Sequence, residues 1–286
     1  MPSEEKQHPE QAQALAEIDV SLASPDIAAI YSDIARLSGI PLPALIWRHL
    51  ATYPGVLSEA WNALRPLYFP GLAQDAAWRT VRERLAGHSA GPDRAALAAA
   101  GLDEETISAY RRVLASYNRA NPVNFIGVRL LLARSSDPRP PELPARGPSL
   151  REWTPPAPVV DLPPMVPVAA IPTPVRAQID GLAVDPAIDR SRVVPSLYRH
   201  LVPWPALIRL IHDGLAPRIR SDEIPELRRA ISSALQAEVD GLVKHVGPLP
   251  HLFATPGVRE VLERFTGLIP EMIVVGKVLE NALEPV

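Results

Sequence analysis

Two stretches of the chain, Trp47-Arg48-His49-Leu50-Ala51-Thr52-Tyr53-Pro54 and Tyr198-Arg199-His200-Leu201-Val202-Pro203-Trp204-Pro205, read as copies of one another. Each places an aromatic residue before Arg-His-Leu, ends on proline, and is followed by a helical pattern. Two further landmarks recur in the same order. Gly91-Pro92 precedes a helical stretch in the first half and Gly247-Pro248 does so in the second. Asn121-Pro122 is expected to open a helix over 123–133, and Ile269-Pro270 one over 271–283. The nearly constant offset predicts an all-α fold of two similar helical repeats, packed as an internal pseudo-dimer with a site between them.

Outward from these landmarks the helical reading holds. Ile107, Tyr110, Leu114 and Tyr117 recur at helical spacing with charged residues between them, and 207–215, 225–246 and 257–265 behave similarly. Gly and Pro mark the breaks, as at Tyr53-Pro54-Gly55 and Thr255-Pro256-Gly257. Thirteen of the 34 prolines fall between Pro138 and Pro174, which excludes a helix there, because each ring removes an amide donor and restricts its predecessor. Extended chain is predicted, laid over the protein through Trp153, Val159, Val160, Met165 and Val166. The division that follows is a polar tail (1–18), a first repeat (19–137), a proline-rich linker that wraps the protein (138–174) and a second repeat (175–286).

Composition narrows the function classes. With 286 residues, 47% hydrophobic and 21% charged, the chain is globular rather than disordered. A net charge of −3 argues against nucleic acid as the partner, and the absence of cysteine excludes disulfides, thiolate nucleophiles and Cys-ligated metals. The longest apolar runs are too short for a bilayer, and residues 1–13 lack a signal-peptide pattern, so a cytoplasmic protein without membrane contact is expected. The seven histidines form no metal-ligand spacing and no phosphate loop is present, so neither a metal nor a cofactor is expected.

Gly87-His88-Ser89-Ala90-Gly91 matches the G-x-S-x-G nucleophile elbow. That motif needs a strand before the serine, whereas helix precedes it here, so a loop is expected. His49 and His200 occupy matching places in the repeats, which favours a structural role for both. Asn121 before Pro122 is a good helix cap. Its counterpart Ile269 turns the same corner without a polar side chain, which leaves room for Asn121 to hold a water or substrate.

The segment Leu50-Ala51-Thr52-Tyr53-Pro54-Gly55, the run Arg111-Arg112-Val113-Leu114 and Tyr117-Asn118-Arg119-Ala120-Asn121-Pro122 resemble the group I, or D,L-, 2-haloacid dehalogenases. The likeness runs from about residue 19 to the C-terminal helix. It implies hydrolytic removal of halide from the α-carbon of a short halocarboxylic acid, without metal or ester intermediate, by a water that an aspartate activates and an asparagine holds. The family's asparagine falls on Asn121 and its cleft wall on Leu42 and Leu45, and Ser196 is a further substrate-binding candidate. Its aspartate falls on Leu197, which cannot take a proton; Asp185 and Asp189 are the nearest carboxylates.

Two readings therefore stand side by side: a dehalogenase-like hydrolase, and a non-catalytic relative that binds a small carboxylate or apolar ligand between the repeats. A third is a scaffold that docks a partner through P-x-x-P pairs such as Pro155 and Pro158, set against a packed linker. The partner expected is a small-molecule carboxylic acid, with a homodimer as an open assembly state.

Overall fold

Helix caps and apolar spacing set the elements. In the first helix, α1 (Pro25–Ser38), Ser24 caps Ile27 N, Pro25 opens the first turn, and Gly39 closes the last at φ 64°. Its buried face is Tyr31, Ile34, Leu37 and Ser38. There follow α2 (Leu45–Leu50), α3 (Val56–Tyr68), α4 (Leu72–Arg84), α5 (Arg94–Ala99) and the long α6 (Glu104–Ser135). The second half holds α7 (Thr173–Asp180), α8 (Ser196–Leu201), α9 (Pro205–Arg220), α10 (Glu223–Leu242) and α11 (Val258–Leu283). This computed structural model describes residues 15–136, 141–142, 153–185 and 194–284. Among them the fold is all-α, with short 3-10 turns and no strand, and no helix is long and apolar enough to cross a membrane.

α6 and α11 form the most extensive helix pair and carry the centre of the core, with α4 and α10 packed beside them. Both run through a proline, which corrects the expectation that Asn121-Pro122 and Ile269-Pro270 open helices. A proline inside a helix costs about 3 kcal/mol, since it removes a hydrogen bond and crowds the carbonyl four residues back. Burial outweighs that local cost. Residues 122–128 of α6 and 268–276 of α11 are buried without interruption, so breaking either helix would expose the middle of the core. Gly127 shows how close the contact is: a Cβ there would collide with the Tyr68 hydroxyl.

The short helices α2 and α8 have six residues each and make parallel contacts. His49 Nδ1 meets the carbonyl of Ala16 at 2.5 Å, and His200 Nδ1 that of Pro163 at 2.6 Å. Arg48 O accepts from Ile18 N, and Arg199 O from Val166 N, both at 3.1 Å. Each histidine thus fixes an extended segment across its own short helix.

The second of these segments belongs to the proline-rich stretch, of which 153–167 holds neither helix nor strand and turns at Asp161, whose φ is 56°. Trp153 lies on Gly71, Arg119 donates to Ala157 O (2.7 Å), and Arg112 donates to Asp161 O (3.1 Å). Val160 is exposed and anchors nothing. The expected linker ends early, because a 3-10 turn forms at Val168–Ala170 and α7 begins at Thr173. At that P-x-x-P pair Pro155 is half-buried and Pro158 exposed, while Pro156 between them packs against Gly39.

Two smaller expectations resolve here. Gly247-Pro248 leads into a 3-10 turn (Leu252–Ala254) rather than directly into an α-helix. Residues 87–91 form a loop, pinned by Asn281, whose amide donates to Leu85 O (2.9 Å) and His88 O (2.8 Å). With no strand leading into Ser89, the elbow geometry is absent there.

Candidate functional site

Between the two halves, α2, α6, α8 and α11 enclose a mainly apolar cavity of about 90 Å³. It is smaller than the roughly 150 Å³ that accommodates benzene, so it fits a ligand of only a few heavy atoms. Asn121, Leu197, Leu42, Leu45 and Ser196, which sequence comparison singled out from distant parts of the chain, all line it.

α6 supplies the polar face. Tyr117, Asn121 and Asn124 lie four and three residues apart, so they share one side of the helix. Asn121 sits in mid-helix rather than at a cap, and its Nδ2 is buried without a partner. Asn124 accepts a hydrogen bond from Trp47 Nε1 at 2.7 Å, which fixes its amide orientation and leaves its buried Nδ2 unpaired as well.

α8 supplies the opposite wall. Leu197 is 1% exposed and lines the cavity, where it offers only methyl groups. His200, one turn further on, also lines it. Its Nδ1 proton is committed to Pro163 O, so Nε2 carries the lone pair. Burial, reinforced by the charges of Arg199 and Arg48, holds its pKa below the usual imidazole value. The ring is neutral at pH 7. Burial raises the Tyr117 phenol far above the physiological range, with the Ser196 side chain a smaller opposing influence.

No aspartate or glutamate lines the cavity among the described residues. Asp185 is paired with Arg228 at 3.0 Å, and Asp189 lies outside the described residues. The described residues contain no cluster of metal-ligating side chains. The cationic wall residue is Arg48, 3% exposed, whose Nη1 meets Glu17 at 2.8 Å.

Sequence reasoning missed Arg48, Tyr117, Asn124 and the lining role of His200. The spacing of Tyr117, Asn121 and Asn124 was available as a signal, but it becomes visible only when the helix is read through Pro122.

Comparison with known proteins points the same way. The chain is 27% identical over 243 residues to a configuration-inverting 2-haloacid dehalogenase of Alcaligenes xylosoxydans xylosoxydans, covering 82% of this chain and 78% of that one. This chain is its homologue. A complex of a D-2-haloacid dehalogenase mutant with D-2-CPA superposes with a TM-score of 0.71 at 17% identity, covering 96% of each chain. The complex of D-2-haloacid dehalogenase with L-LA gives 0.70 at 19%, covering 96% of this chain and 97% of that one. These likenesses establish the helical fold. No family model matches the chain.

Proposed function

We propose that the protein is a 2-haloacid dehalogenase-like hydrolase whose cavity takes a small halogenated carboxylic acid. The observation that carries this reading is the convergence of Asn121, Ser196, Leu197, Leu42 and Leu45 on one small apolar cavity, in a chain homologous to such an enzyme. In the proposed reaction a water held by the Asn121 amide attacks the α-carbon opposite the halogen. The C–O bond forms as the C–X bond breaks, the halide leaves with the electron pair and the centre inverts, and the protonated oxygen passes its proton to solvent water. An apolar wall favours this displacement by stripping solvent from the nucleophile and by prepaid positioning.

The proton is the weak point. Leu197 stands where the resemblance places the base, and the neutral His200 is disfavoured as an acceptor by its burial, with the charges of Arg199 and Arg48 adding to the penalty on an imidazolium. Slow native turnover follows. A second reading is favoured by the same buried Leu197: a relative that keeps the site and binds a small carboxylate without hydrolysing it. We also take 19–137 and 175–286 as repeats joined by the proline-rich linker. The matched order of α1–α4 and α6 with α7–α11, and the parallel contacts of His49 and His200, support this.

Halide release from each enantiomer of 2-chloropropionate, by the native chain and by Leu197→Asp, tests the proposal. Release by the variant supports a dehalogenase site that lacks its base, and the enantiomers turned over assign the D- or D,L-subtype. Saturable binding of propionate without release from either protein supports the second reading.

A further inference from the structure

We propose that Arg48 is the carboxylate anchor of this cavity, the residue that makes it select anions over neutral molecules of the same shape. The proposal rests on the reading of the cavity as a site for a small acid, and it names the group that reads the acid's charge.

Three buried donors on the cavity's lining residues lack a partner: Asn121 Nδ2, Asn124 Nδ2 and Arg48 Nε. No carboxylate of the described residues lines the cavity to receive them. Such a wall is built of donors that seek an acceptor, the reverse of a site for a cation or for a donor-rich neutral ligand. An unpaired buried N–H is costly, and more so on a charged group, so an acceptor that enters the cavity gains by removing that cost.

Arg48 is set apart by comparison with its counterpart in the second half. Both arginines accept an amide of the extended segment on their backbone oxygen at 3.1 Å. Arg199 also donates its Nε to Val166 O at 2.9 Å, so that atom is consumed in holding the segment. The same atom of Arg48 is left over, buried on a residue that lines the cavity. Among the described residues the side-chain charge of Arg48 is met by Glu17, itself 30% exposed, so water screens the counter-charge while the guanidinium stays dry at 4%. A carboxylate in the cavity completes the charge balance from the inner side, with a charge-assisted hydrogen bond.

The test measures binding to the full chain by calorimetry, with propionate and its neutral isostere propionamide as probes, so it is independent of halide release. Propionate is expected to bind at least about tenfold more tightly than propionamide, and Arg48→Met to weaken propionate by about 10- to 100-fold and abolish the preference. Equal propionate affinity in the native chain and a folded Arg48→Met overturns the role of Arg48 alone. Failure of the native chain to bind propionate overturns the acid-site reading itself. Should Arg48→Met fail to fold, Glu17→Gln decides. By removing the competing carboxylate it should tighten propionate several-fold and leave propionamide unchanged, and any other result refutes the anchor.

Discussion

Replacing Leu197 with aspartate places a carboxylate against the wall that carries Asn121 and Arg48, and its consequences can be worked out in both stability and rate. Leu197 is 1% exposed, so its loss forfeits about 1.5–3 kcal/mol of apolar burial. Desolvation raises the new carboxyl's pKa in the folded chain, partly offset by the unpaired Asn121 and Arg48 donors. A raised folded pKa means the native state keeps the proton that the unfolded state has lost. The ionisation penalty is therefore absent below the unfolded value near 3.9, grows as pH rises, and is complete above the folded pKa. Leu197→Asp should show its largest deficit in urea midpoint at alkaline pH. Halide release follows the ionised form, so it should climb with pH through that same folded pKa. Gaining a general base is worth about 10²–10⁴ in rate, well within reach of chloride detection by ion chromatography. Leu197→Asn, of the same shape but without a titratable proton, should gain nothing, and adding Asn121→Ala to Leu197→Asp should abolish the gain. A folded Leu197→Asp that releases no more halide than Leu197→Asn refutes the reasoning. So does brisk native turnover indifferent to residue 197, which would mean another group takes the proton.

Other consequences are simpler to measure. Trp47→Phe removes the donor to Asn124 at 2.7 Å in a fully buried site and should cost about 1–3 kcal/mol in urea denaturation, with the far-UV spectrum unchanged. Because the folded pKa of His200 lies below its unfolded value, the unfolded chain takes the proton first as pH falls; stability should decline below about pH 6.5, and His200→Gln should flatten that decline. Gly71→Ala forces a side chain into a φ of 79° and into the Trp153 ring, so it should cost about 2–4 kcal/mol, whereas Gly101→Ala, at φ 78° with open space around it, should cost only the backbone part.

The parts of the fold that rest on local chemistry were legible in the sequence. The Arg-His-Leu pairs were legible as matching stretches that lead into helices, as α3 and α9 show, although the short helices that carry the pairs were not expected; the apolar spacing of Ile107, Tyr110 and Leu114 placed the start of α6. What local rules misjudged was the fate of Pro122 and Pro270. A proline is a strong break only where the helix has little to lose, and here both sit amid unbroken burial. That error hid the polar stripe on α6, because Asn124 shares a face with Asn121 only if the helix continues. The role of Arg48 was illegible for a different reason. Its neighbours in sequence place it beside a structural histidine, and only the pairing of Arg199 Nε with Val166 O exposes the unused atom in the first half.

The proline-rich strap carries one more implication. Its main-chain oxygens at Ala157, Asp161, Pro163 and Val166 accept from Arg119, Arg112, His200 and Arg199. A proline keeps its carbonyl while losing its amide, so this segment is rich in acceptors and poor in donors. Its donors must come from helical side chains, and those side chains grip oxygens that every amino acid possesses. Substituting a gripped residue therefore leaves its bond's acceptor in place, whereas substituting any of the four side chains that hold the strap removes a donor. Shortage of amides also leaves the strap a poor template for another extended chain, since a sheet ladder needs both halves of the peptide group. A long irregular strap can therefore lie on the surface of a helical protein without inviting edge-to-edge aggregation.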